Sequence, residues 1–288
     1  MPTRRAVVVP LAVCAALAVL LSANGCDPAD RAARGDDPDQ GSGSAEGGTP
    51  DRQDQPGSAG DDRPEPHTST LTLGDVVLRI GSPKRATVRD GDAPGARTVA
   101  LALAPGEAAR LDLTSPGTLD VDPDGSITVL DDDGTPVAAV GPPAPPSEIE
   151  DAPGIDVTDV GATGARVEVD DRVRTAQGSG GRAAPTGRLE ITFDVGTQAI
   201  ESATWGENEG GRSLAVDPSD WARHAGEAGI DLIRTQLVAA EPDAGSSTMD
   251  DQLVCHAVGA PDKNTWNLEP WRPDIGLILT AAAHCNPV

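Results

Sequence analysis

The sequence predicts an α+β protein: an antiparallel, sandwich-like β region over residues 69–200, followed by a small, disulfide-closed, largely helical module over residues 201–288. Three observations carry that expectation. Up to Ile200, apolar residues alternate with polar ones in short runs separated by Gly, Pro and Asp clusters, the period of half-buried strands. Beyond Asp217 the apolar period lengthens to that of a helix. All four tryptophans, Trp205, Trp221, Trp266 and Trp271, follow residue 200, which gives the second region the makings of its own core.

The chain opens with Arg4 and Arg5, an apolar run from Ala6 to Ala23, and then Asn24-Gly25-Cys26. Positive residues, an apolar stretch and small residues describe an export signal over residues 1–25. A membrane span needs about 20 apolar residues, and this run is shorter and contains Pro10. Ala23-Asn24-Gly25-Cys26 reads as a lipoprotein box without the usual leucine, so Cys26 is the predicted lipidation site. That places the mature chain on the outer face of the cytoplasmic membrane. From Asp27 to Thr68 there is no Val, Ile, Leu, Met or aromatic residue, and 11 acidic residues face 4 basic ones. Such a segment buries too little apolar surface to offset its ordering entropy, so residues 26–68 are expected to be a disordered acidic tether.

In the β region, Leu71, Leu73, Val76, Leu78 and Ile80 alternate across Gly74-Asp75, where a hairpin or bulge belongs. Val99, Leu101 and Leu103, then Leu111 and Leu113, then Ile127 and Val129, give further strands. Asp131 to Gly134 is a turn before Val137-Ala138-Ala139-Val140. Pro142 to Gly154 reads as a surface loop, and Gly178 to Gly187 as another. Val167, Val169, Leu189, Ile191 and Phe193 complete the inventory. In the second region, Asp217-Pro218-Ser219-Asp220 starts a helix whose inner face is Trp221, Ala225, Ala228, Leu232, Gln236 and Leu237. Ser246 or Ser247 starts another, with Met249, Leu253, His256 and Ala257 inward, and Gly259-Ala260-Pro261 stops it. Lys263 to Gly276 reads as a loop, and Leu277 to Ala283 as a last apolar helix or strand.

A net charge of −24 excludes nucleic acid as the default partner, because a phosphate backbone needs a basic face. The expected partners are the membrane, through the lipid on Cys26, and a cell-wall polymer or another surface protein.

Cys14 leaves with the signal and Cys26 is assigned to lipid, so Cys255 and Cys285 remain to pair in an oxidising compartment. A zinc site from these cysteines with His256 and His284 is disfavoured, because adjacent side chains on regular structure point apart. Asp120, Asp122 and Asp124, with Gly125 and Asp131, match the spacing of a calcium loop. Their flanks are strand-like, however, and Asp124-Gly125 is a hairpin signal, so the sequence favours a hairpin and no cofactor. Trp266, Trp271 and Arg272, with Glu269 and Asp274, could line a glycan cleft, since indole stacking and paired carboxylates serve sugar recognition and hydrolysis. The competing reading has the two tryptophans pinning the loop to the disulfide, with Glu269 and Arg272 as an ion pair. His256 or His284 with Glu269 or Asp274 would supply general acid–base chemistry, although no nucleophile motif accompanies them.

Met249-Asp-Asp251-Gln252-Leu-Val-Cys255-His256, then Lys263-x-x-Trp266-Asn267-Leu268-Glu269-Pro270-Trp271-Arg272-Pro273, then Cys285-Asn286-Pro287, resemble the domain of unknown function 2599 family of exported, largely actinobacterial proteins. The likeness covers residues 200–288. It implies export and the disulfide, and it brings no established activity. The expected function is therefore that of an exported cell-surface lipoprotein, a non-enzymatic envelope binding or interaction protein. The alternative is an extracellular, glycan-directed hydrolase with its site in the loop from Trp266 to Asp274.

Overall fold

The computed structural model describes residues 66–147, 149, 152–171 and 187–288. The predicted export segment, Cys26, the tether up to residue 65 and most of the glycine-rich stretch lie outside these residues. All described residues belong to one compact unit.

Two antiparallel sheets form the β region. The first orders β1 (His67–Leu73), β2 (Val76–Ser82), β5 (Ala108–Leu113), β10 (Gly164–Val169) and β9 (Ile155–Asp159) side by side. The second orders β3 (Thr87–Asp90), β4 (Ala96–Leu103), β11 (Leu189–Gly196), β8 (Pro136–Val140), β7 (Ile127–Leu130) and β6 (Thr118–Val121). Alternation explains what lies between them. Leu71, Leu73, Val76, Leu78 and Ile80 of the first sheet and Val99, Leu101, Leu103, Ile191 and Phe193 of the second share one buried core. The break at Gly74-Asp75 is a hairpin, with Leu73 opposite Val76 and Gly74 at φ +58°, a value that glycine adopts without a Cβ penalty.

The C-terminal region is helical only in part. It carries a third antiparallel sheet in which β13 (Gly211–Pro218) pairs with both β12 (Ile200–Asn208) and β14 (Trp266–Leu268). Around it lie α1 (Asp220–Arg223), α2 (Gly226–Ala240), a 3₁₀ turn at Pro242–Ala244, α3 (Ser247–Gly259) and α4 (Leu277–Ala282). The sequence obscures the hairpin because β12 is mostly exposed and shows little alternation. The single helix expected from Trp221 onward is split after Arg223, where Gly226 takes φ +68°. Its predicted inner face is nevertheless buried at Trp221, Ala225, Ala228, Leu232 and Leu237.

A second core, containing Leu214, Trp221, Leu232, Leu253 and Trp266, also includes Ala96 and Ala139 of the sandwich. The helices therefore pack on the outer face of the second sheet. Small residues permit that approach: a Cβ at Gly196 would stand 2.3 Å from the Trp221 ring. The hairpin turn between β6 and β7 completes the junction. Asp124 Oδ2 accepts from Glu227 N at 2.9 Å and Ser126 Oγ accepts from Ala228 N at 3.0 Å, so a turn about 100 residues away caps the start of α2.

Candidate functional site

The aspartates with calcium-loop spacing take up hydrogen-bonding roles within their turns and, for Asp124, at the start of α2. Asp122 accepts from the hydroxyls of Ser126 (3.2 Å) and Thr128 (3.1 Å), and burial pushes its carboxyl up to about 6 against those two bonds. Asp124 caps α2 and orders its own turn through Ser126 N at 2.9 Å. Asp131 accepts from Asp133 N and Thr135 N in the next hairpin turn. Asp120 pairs with Thr128 in strand register. Among the described residues no three His, Cys, Asp or Glu side chains gather in a metal-binding group.

The loop from Lys263 to Asp274 is built around buried polar contacts. Trp266 is fully buried and donates from Nε1 to Ala260 O at 3.3 Å, with the Arg223 guanidinium 5.2 Å from its ring. Its face is thus unavailable for stacking on a ligand. Glu269 and Arg272 form a buried ion pair through Oε2 and Nε. Arg272 also donates to Pro287 O (3.0 Å) and to Glu209 Oε2, while Asn208 donates to Glu269 Oε1 at 3.1 Å. The main chain of Glu269 is held by both ends of the Gln252 amide, each at 3.0 Å. One cluster therefore joins the β12–β13 turn, α3, the loop and the C-terminal tail. Trp271 is half-exposed, seated on Gly211 with Arg272 stacked 4.6 Å from its ring. Asp274 lies at the other end of α3, where it accepts from Ser247 Oγ at 2.6 Å. No hydrogen bond among the described residues links Glu269 or Asp274 to either histidine.

What the fold does bring together is His256, His284 and the disulfide. Cys255 and Cys285 are bonded, with Cα atoms 5.6 Å apart, and both line a groove of about 580 Å³ between α3 and α4. Val254, Val258, Leu277, Ile278 and Ala281 form its apolar surface, with Lys263, His256, His284 and Asn286 completing the lining. The wall contributed by α4 is inverted relative to an ordinary surface helix. Thr280 is its buried residue, while Ile278 is 80 % and Leu279 57 % exposed, and Val258 across the groove is 74 % exposed. Sequence reasoning did not single out these side chains as a site. The available signal was an uncharged run from Ile275 to Ala283, too apolar to face water and followed at once by His284-Cys285.

His256 is 4 % exposed, and its Nε2 lies 3.3 Å from Asn267 O. A carbonyl oxygen only accepts, so Nε2 carries the proton and the buried Nδ1 is left as a bare lone pair without a partner. Burial and, second, the charge of Lys263 push this imidazole down to about 4 against the bond to Asn267. The unfolded chain therefore takes up a proton near pH 6.5 that the folded chain refuses until about pH 4. Stability from this residue is complete above pH 6.5 and falls as the pH drops through that window. From pH 7.5 to pH 5 the loss is expected to be about 2 kcal/mol. Urea midpoints of the wild type and His256→Leu at both pH values check this, and equal pH slopes would refute it.

Residues 200–288 match the family described as "Protein of unknown function (DUF2599)". The chain is also 37 % identical over 95 residues to uncharacterized proteins of Mycobacterium bovis and of two strains of Mycobacterium tuberculosis. Those matches take in 30 % of this chain and 62 % of each relative, less than two thirds of the relatives' length. No solved structure is a significant match.

Proposed function

We propose that this chain is an exported, envelope-tethered binding protein that holds an apolar ligand in the groove between α3 and α4. The observation that carries this reading is α4 itself, which buries Thr280 and exposes Leu277, Ile278 and Leu279 beside a 580 Å³ concavity. Exposed contiguous apolar surface of this kind is costly for a monomer and usually marks a ligand or partner site. Binding fits the geometry better than hydrolysis does. Glu269 is held by Arg272 and Asn208, and Asp274 by Ser247, which leaves neither carboxylate beside a histidine. The apolar run at residues 6–23 and the small residues before Cys26 support export and lipid anchoring.

Nile red, a neutral apolar reporter, tests the groove in the mature chain. The wild type is expected to enhance its fluorescence. Ile278→Asp should weaken binding more than tenfold at an unchanged melting temperature, since the side chain is exposed. An equal response from both proteins would remove the groove from the proposal. Intact-mass analysis of protein extracted from the host envelope tests the anchor: a diacylglyceryl adduct on Cys26 supports it, and an unmodified chain in the medium refutes it.

A further inference from the structure

The groove differs in charge from the rest of the chain. With 46 acidic against 22 basic residues, a surface lining would ordinarily include carboxylates, yet this one contains no Asp or Glu. It contains Lys263, one of only two lysines in the sequence, together with His256 and His284. Lys263 makes no ion pair and no side-chain hydrogen bond among the described residues, while the carboxylate of its neighbour Asp262 is turned to His224, 3.1 Å from the imidazole Nε2. The charge of Lys263 is felt within the groove, because it helps to hold the His256 imidazole neutral. The apolar surface of Val254, Val258, Leu277 and Ile278 thus has a cation and no carboxylate within the same lining.

Resting on the groove reading above, we propose that the ligand is an anionic amphiphile, a single-chain long-chain carboxylate. Its hydrocarbon tail lies along Val254, Val258, Leu277 and Ile278, and its carboxylate faces Lys263 and His284. A lone ammonium matches a monoanionic head, and because Lys263 and His284 are both exposed the apolar wall supplies most of the binding while the pairing selects the head group. A monomeric lipid fits better than an anionic bilayer, which a chain of net charge −24 would repel as a surface. The same charge opposes a second copy of the chain seated face to face.

The test uses the mature, disulfide-bonded protein with cis-parinaric acid and its methyl ester, two fluorescent lipids that differ only in the head group, both kept below the concentration at which they self-associate. The wild type is expected to bind the acid about threefold more tightly than the ester, the worth of an ion pair at an exposed side chain. Lys263→Gln should abolish that preference by weakening the acid alone, and raised salt should do the same. Lys84→Gln, which alters the other lysine, in the sandwich, should leave it intact. Ile278→Asp should weaken both ligands. If acid and ester bind equally and Lys263→Gln changes neither, the carboxylate assignment fails while the groove stands. If neither lipid nor Nile red binds, the groove reading itself fails. Binding to anionic phospholipid vesicles that depends on Ile278, without binding of monomeric parinarate, would overturn the proposal in favour of a membrane surface.

Discussion

Arg272→Ala is expected to destabilise the C-terminal region by about 3–5 kcal/mol, the usual cost of removing one partner from a buried ion pair. The guanidinium side chain is fully buried and the Glu269 side chain 1 % exposed. Removing the arginine leaves the Glu269 carboxylate out of water with only the Asn208 amide as donor. The same change unlinks Pro287 and Glu209, so the C-terminal tail and the β12–β13 turn lose their common anchor. Replacing both charges, as Glu269→Gln with Arg272→Met, should recover at least half of the loss, because the larger part of the penalty is an unpaired charge rather than a lost attraction. Tryptophan fluorescence is a clean probe here, since all four tryptophans lie between residues 205 and 271 and the sandwich has none. Denaturation midpoints of the two single variants and the double variant complete a cycle. A single Arg272→Ala loss below about 1 kcal/mol would contradict the buried-pair account.

That cluster marks where sequence reasoning reached and where it stopped. Glu269 and Arg272 lie three residues apart, so pairing was legible, whereas their shared partners Asn208, Glu209 and Pro287 are joined to them only by the fold. The sandwich was legible because one face of each strand is buried and a period of two survives in the letters, as in Leu71, Leu73, Val76, Leu78 and Ile80. The hairpin at residues 200–218 was not, because β12 buries little and its Glu209-Gly210 turn lacks the usual Asn-Gly or Asp-Gly. β14 is three residues long, too short for a period of two to set it apart from the loop around it. The aspartates show a different limit. Asp120, Asp122, Asp124 and Asp131 invite a local reading by spacing, while the bond that uses Asp124 spans 103 residues. The groove needed tertiary placement as well, because an apolar run says that something must cover it and says nothing of which face stays open.

Breaking Cys255–Cys285 is expected to cost about 3–4 kcal/mol through the loop it closes and to abolish the groove at the same time. The bond spans 30 residues, and its two cysteines form part of the groove lining. Little else fixes α4. It is six residues long, well under the roughly 12–15 that an isolated helix needs in water, and only Thr280 is buried. The two residues that lead it back to α3, His284 and Cys285, sit at φ +53° and +64°. Left-handed backbone at non-glycine residues is unfavourable and persists only where the surroundings enforce it. With the disulfide gone, relaxation of these two residues favours release of α4 over a loosened copy of the native arrangement. Reduction, or the paired change Cys255→Ala with Cys285→Ala, should therefore expose the amides of residues 277–285 to hydrogen exchange and remove Nile red binding. The sandwich strands should stay protected, since their core does not include this segment. Retention of both reporter binding and α4 protection after reduction would show instead that packing around Thr280 and the Arg272–Pro287 bond suffices to hold the groove wall.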